Sequence, residues 1–141
     1  MPQAAVVYHS RTGTTRSLAE RIAACFMEHD IETRVLPIWE CKNEALVDLD
    51  YLMLGCWTHG LMFILQHPEQ PWVDFAHRLP PLAVPRVGLF TTYTLATGSM
   101  FRKMRHHLRG KIGAVAIELK SRSGQLSGRQ TQALERFIAG G

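Results

Sequence analysis

Apolar and polar residues follow one another along this chain in two distinct rhythms. Ala4-Ala5-Val6-Val7-Tyr8 is an unbroken apolar run that stops at the polar cluster His9-Ser10-Arg11-Thr12-Gly13, which predicts a strand and then a loop. Over residues 14–28 the apolar positions Leu18, Ile22, Ala23, Cys25 and Phe26 recur at three- and four-residue spacing, one face of a helix. Residues 31–36 predict a second strand, stopped by Pro37. Tyr51-Leu52-Met53-Leu54-Gly55-Cys56 predicts a third, apolar throughout as a strand covered on both faces should be. A long polar-to-aromatic connection over 57–71 leads to a weaker helix at about 72–79. A fourth strand is expected at 87–91 and a helix at 99–109, with Met100, Met104 and Leu108 on one side. A fifth strand over 112–119 and a closing helix over 129–139 complete the pattern. Strands alternating with helices imply right-handed crossovers and a central parallel sheet. With no internal repeat, low-complexity tract or linker, residues 1–141 read as a single α/β domain.

Composition narrows the class. With 141 residues, 46% hydrophobic and 20% charged, the chain has ample apolar surface for a core, which rules out disorder. Its longest apolar runs, such as 61–65, fall far short of the roughly 20 residues a bilayer needs, so no membrane insertion is expected. The first residues have no basic region ahead of their apolar run, so no secretory signal is visible. Cys25, Cys41 and Cys56 form an odd set without CxxC spacing, as in a reduced, cytoplasmic protein with neither a disulfide framework nor a metal site.

Charge is unevenly placed. Residues 1–99 carry seven Lys/Arg and ten Asp/Glu, and residues 100–141 carry nine and two, giving −3 and +7 and the overall +4. The basic part is concentrated in residues 101–111. Cations belong at a helix C-terminus, and Gly110 reads as the stop; a docking face for an acidic partner protein is the functional alternative. Nucleic acid is not expected, because aromatics are not interleaved with these cations.

In open parallel sheets, ligands sit at the carboxyl ends of the strands. That rule nominates the loops after the first, third and fourth strands. In the first, Ser10, Arg11, Thr12, Gly13, Thr14 and Thr15 gather hydroxyls and free N–H groups where the helix dipole is positive, which suits a phosphate. An ordinary helix cap explains one hydroxyl, not four in six residues. In the other two loops, Trp57 and Tyr93 stand at strand ends, where aromatic rings could sandwich a flat ligand.

These residues carry a resemblance. Ser10-x-Thr12-Gly13-x-Thr15 directly after a first strand resembles the phosphate loop of the flavodoxin-like family, itself an instance of the strand-end rule. Leu54-Gly55-Cys56-Trp57-Thr58-His59-Gly60 is similar to the second flavin loop, whose glycine-containing peptide lies beside N5 of the ring. Phe90-Thr91-Thr92-Tyr93, followed by Thr97-Gly98-Ser99 and a helix, is similar to the third loop of short-chain flavodoxins, whose tyrosine stacks on the ring. The resemblance implies a three-layer sandwich with a five-stranded parallel sheet in the order 2-1-3-4-5. It also implies one non-covalent FMN as cofactor and electron transfer to a redox partner protein. For that role no catalytic acid, base or nucleophile is needed, since the cofactor carries the chemistry. Thr58 and Thr92 are expected to offer polar groups to the ring edge. Gly60 permits a peptide to turn over as N5 gains a proton, and His59 is the titratable residue nearest that atom. Cys56 is expected to be a packing residue rather than a nucleophile, with no neighbouring base in view.

One departure changes the picture. Flavodoxins usually place carboxylates near the flavin. Here residues 9–15, 55–66 and 91–99 contain no Asp or Glu, but do contain Arg11 and His59. A nearby cation favours the reduced flavin anion by about 1 kcal/mol per partly exposed charge, which predicts a potential less negative than in the acidic carriers. The same feature, with the apolar run 61–65, favours one alternative, a small FMN-dependent reductase acting on a quinone, porphyrinogen or other conjugated substrate; a non-redox ligand-binding module is a further alternative. The apolar run 61–65 could cover the flavin, line a substrate pocket or bury itself in a dimer.

Overall fold

A computed structural model describes residues 2–61 and 64–140, without the side chains of 60–65. The apolar side chains of 61–65 therefore lie outside the described residues. Strand β1 (Gln3–His9) leads into helix α1 (Thr14–Glu28), and β2 (Glu32–Pro37) follows. Next come β3 (Tyr51–Trp57), a small hairpin of β4 (His59–Leu61) and β5 (Ile64–His67), and α2 (Gln70–Arg78). The chain ends with β6 (Arg86–Thr92), α3 (Met100–His107), β7 (Val115–Ser121) and α4 (Gly128–Ala139). The main sheet runs β2-β1-β3-β6-β7, parallel throughout, which is the expected 2-1-3-4-5 once the hairpin strands are left out of the count.

Alternate residues of each central strand go to opposite layers, as the two-residue period of a strand requires. Ala5 and Val7 of β1, with Leu52 and Leu54 of β3, pack under α2 and α3 against Trp72, Met100 and Met104. Val6 and Tyr8, with Met53 of β3 and Phe90 of β6, pack under α1 and α4 against Leu18, Ile22, Phe26 and Phe137. A fully buried Leu, Ile or Phe contributes roughly 1.5–3 kcal/mol, so the two layers together hold the strand ends in register. Gly55 is part of that register. It sits beside Phe90 across the β3–β6 pair, and a Cβ at residue 55 would run into the Phe90 ring.

The structure departs from the periodicity in three places. Between β2 and β3 the crossover has no α-helix; after Pro37 it is made of two 3₁₀ turns, Ile38–Glu40 and Asn43–Leu46, which bury Ile38 and Leu46. The connection 57–71 contains the antiparallel β4–β5 pair, with His59 opposite His67 and Leu61 opposite Ile64. A short apolar run does not by periodicity alone separate strand from loop. Finally, β7 starts at Val115 rather than at residue 112, because the preceding turn is tied to α2's exit through Leu82 N–H donating to Lys111 O at 2.7 Å. No helix among the described residues is long and apolar enough to cross a membrane.

Candidate functional site

The loop after β1 is shaped by one glycine. Gly13 takes φ +95°, ψ −10°, a left-handed conformation that side chains resist. A Cβ there would meet no atom within 4 Å, so the backbone at this point borders open space. Gly13 N–H donates to Ser10 Oγ at 3.0 Å, folding the loop back on itself, and Thr12 and Thr14 hydroxyls stand 3.4 Å apart. Gly13 is also the N-cap position just before α1. It offers no side-chain cap, and the first turn has no acid, so the helix presents its positive end unscreened.

The other loops are joined to it by threonines. Thr15 is buried, and its hydroxyl shares a 2.6 Å hydrogen bond with Thr92 at the end of β6. Thr58 N–H donates to Thr92 O at 2.7 Å, the Thr58 and Thr91 hydroxyls lie 2.8 Å apart, and the Thr91 hydroxyl donates to Cys56 O at 2.5 Å. The hydroxyls of Thr15, Thr58 and Thr92 thus hold the three loops together in this form.

Above these threonines lies a cleft of about 310 Å³, at the small end of the range for ligand pockets. Arg11, Thr12 and Thr14 line it from the first loop, Trp57, Thr58 and His59 from the second, and Thr92, Tyr93 and Thr94 from the third. Ser10 and Gly13 shape the first loop without lining the cleft, and Thr15 and Thr91 lie beneath it. Gly60 belongs to β4. Cys56 is fully buried, and burial pushes its thiol up to about 12, which fits a packing residue. Thr97 and Gly98 are away from the cleft, at the start of α3. There Thr97 O accepts from Met100 N–H at 2.9 Å, and Gly98, with φ +50°, lies against the Gln66 side chain.

Sequence reasoning did not reach Arg122, Glu69 or Thr94, the last of which lines the cleft beside Tyr93. Arg122, just past β7, lines the cleft, and its guanidinium carbon is 5.3 Å from the centre of the Tyr93 ring. The strand-end rule applied to the fifth strand would have found it. Glu69, which precedes α2, accepts a 2.5 Å hydrogen bond from His9 Nε2. A carboxylate therefore does approach the end of β1, from a segment outside the acid-free loops, and an imidazole meets it. Among the described lining residues the charged side chains are Arg11 and Arg122, with no carboxylate.

The aromatic walls fit a flat polar ligand. The guanidinium of Arg11 is 5.2 Å from the Trp57 ring centre, and His59 meets the same ring edge-on at 4.9 Å. Trp57 Nε1 is buried and makes no hydrogen bond to the described residues. Such a donor is costly to leave unmet and suits a ligand with acceptors on its ring. An uncapped helix start, hydroxyls around a glycine turn and two aromatics beyond it fit a ring system bearing a phosphate.

Fold and cleft together define an open α/β protein whose strand-end cleft fits a phosphorylated flat ligand. The family model described as Flavodoxin matches residues 6–129, so the chain belongs to the flavodoxin family, whose members bind FMN and carry electrons. The flavodoxin of Clostridium beijerinckii is 26% identical over 113 residues, 80% of each chain. The two-electron reduced flavodoxin of Megasphaera elsdenii has a TM-score of 0.74 at 19% identity, over 98% of this chain and 99% of that one. Flavodoxin 2 of Bacillus cereus gives 0.71 at 19%, over 97% and 95%.

Proposed function

We propose that this protein is a cytoplasmic carrier in which one domain, residues 1–141, passes electrons through FMN to a partner with an acidic face. FMN supplies the one- and two-electron chemistry; the chain holds it, orients it and sets its potential. In this reading residues 10–15 and the free end of α1 grip the phosphate. Trp57 and Tyr93 flank the ring, and Thr58, His59 and Gly60 border its reactive edge. The observation that carries the reading is the uncapped start of α1 opening into a cleft walled by Trp57 and Tyr93. The cationic lining supports a potential less negative than that of acidic flavodoxins.

The acidic partner is supported by a groove of about 580 Å³ along α3, lined by Arg102, Lys103, Arg105, His106 and Arg109. Three nearby cations already have structural work, Lys103 by donating to Gln66 O at 2.9 Å. Arg105 pairs with Glu118, and Lys111 donates to the backbone carbonyls of His77 and Leu79 at the end of α2. Arg102 and Arg109 remain exposed for a partner. Stopped-flow oxidation of the reduced holoprotein tests the field. With ferricyanide the rate should fall as salt rises, and fall again in the Arg102→Glu, Arg109→Glu variant; with hexaammineruthenium both trends should reverse. The opposite salt slopes would reject an acidic partner. Rapid direct turnover of NAD(P)H and quinone would replace the carrier with a reductase.

A further inference from the structure

Arg122 lies on a fourth loop, after β7, yet it is anchored to the third. Tyr93 N–H donates to Ser121 O at 3.2 Å, which draws the end of β7 alongside. Arg122 Nη2 donates to Leu95 O at 3.3 Å, and its guanidinium lies at cation–π distance from the Tyr93 ring. Lys120 Nζ is 5.9 Å from the centre of the same ring. Across the cleft Arg11 stands over Trp57. Each aromatic wall therefore carries a guanidinium, and none of the described lining residues carries a carboxylate. Arg11 comes from the phosphate loop and stands over the Trp57 wall, so it adds to the same field from the opposite side. Arg122 is fixed at the aromatic end, already oriented, so no reorganisation is needed when charge appears there.

Oxidised flavin has a neutral ring. Two electrons from a reductant and one proton from solvent convert it to a ring with one net negative charge. We propose that Arg122 is a specificity-determining residue that makes this cleft bind the reduced, negatively charged ring more tightly than the oxidised one. The inference rests on FMN being the ligand.

The test measures two quantities on wild type and on Arg122→Gln, Arg122→Glu and Arg122→Lys: the Kd for oxidised FMN, by quenching of its fluorescence, and the two-electron midpoint, by dithionite titration against indicator dyes. Arg122→Gln should lower the ratio of reduced to oxidised affinity by about tenfold, a midpoint about 30 mV more negative. Arg122→Glu should lower it further, and Arg122→Lys should stay near wild type. Holoproteins of the Gln and Glu variants that keep the wild-type midpoint would overturn the inference alone, as would equal losses of affinity in both redox states. A wild type that takes up no FMN would overturn the flavin reading and this inference with it.

Discussion

Helices α1 and α4 both begin where a strand of the main sheet has just ended, and they finish that junction in opposite ways. At α4, Ser127 takes an extended conformation, its Oγ accepts from Gln130 N–H at 3.2 Å, and its carbonyl accepts from the Thr131 hydroxyl at 2.9 Å. At α1, the same place is held by Gly13 in the left-handed region, with no side-chain cap. A good cap contributes about 1 kcal/mol. The chain has that stabilisation where the helix only has to fold and forgoes it where hydroxyls and a cleft surround the helix end. α2 and α3 also begin without a side-chain cap; what sets α1 apart is the cleft lined by Thr12 and Thr14 into which its uncapped turn opens.

The comparison is broken most directly at Gly13. Gly13→Val should weaken FMN binding by about 100-fold. A branched side chain in the left-handed region costs roughly 1–2 kcal/mol, and distorting the loop disturbs charge-assisted hydrogen bonds worth roughly 1.5–3 kcal/mol each. Unchanged affinity in a fluorescence titration would remove α1 from the site. Gly13→Asp sharpens the point, because Asp tolerates the left-handed region better than Val and adds a negative charge facing the phosphate. It should leave the melting temperature of the apoprotein nearer to wild type than Val does, yet weaken FMN by about tenfold. Ser127→Ala is the converse: about 1 kcal/mol lost in urea unfolding, with FMN affinity intact. A change in FMN affinity there would erase the contrast between the two helices.

The smallest effect belongs to the far end of α3. His107 shares a 3.0 Å hydrogen bond with His77, and its pKa lies below the ordinary 6.5, chiefly through burial and then through His77 and His106. The folded protein thus binds this proton less readily than the unfolded chain. The associated stability is present above about pH 6.5 and lost as pH falls through the lowered value. His107→Gln should flatten the fall in melting temperature between pH 8 and 5; an identical slope would clear His107.

Much of this was legible in residue order. The continuous apolar runs of β1 and β3, the three- and four-residue spacing of α1 and the Ser/Thr-rich loop before it place the sheet and the phosphate-type turn, because burial and helix periodicity act over a few neighbouring residues. Trp57 and Tyr93 were legible as cleft residues for the same reason, since each directly follows or ends a recognisable strand. The β4–β5 hairpin was not, because three- and four-residue strands carry too little pattern. Thr97 and Gly98 follow the third loop's motif, yet the chain turns them towards Gln66 and α3.

By itself, the sequence determined the parallel sheet and its order through the family resemblance, the loop that bends around Gly13, and the absence of acids from three loops. Those properties are local, set by which residues follow which. Tertiary structure alone decided that Arg122 comes to lie over Tyr93, 29 positions earlier in the chain. It likewise decided that Thr15 bonds to Thr92, and that Glu69 returns a carboxylate to the end of β1 against His9. Each of these pairings joins segments that become neighbours only when parallel strands, separated by whole crossovers, are laid side by side.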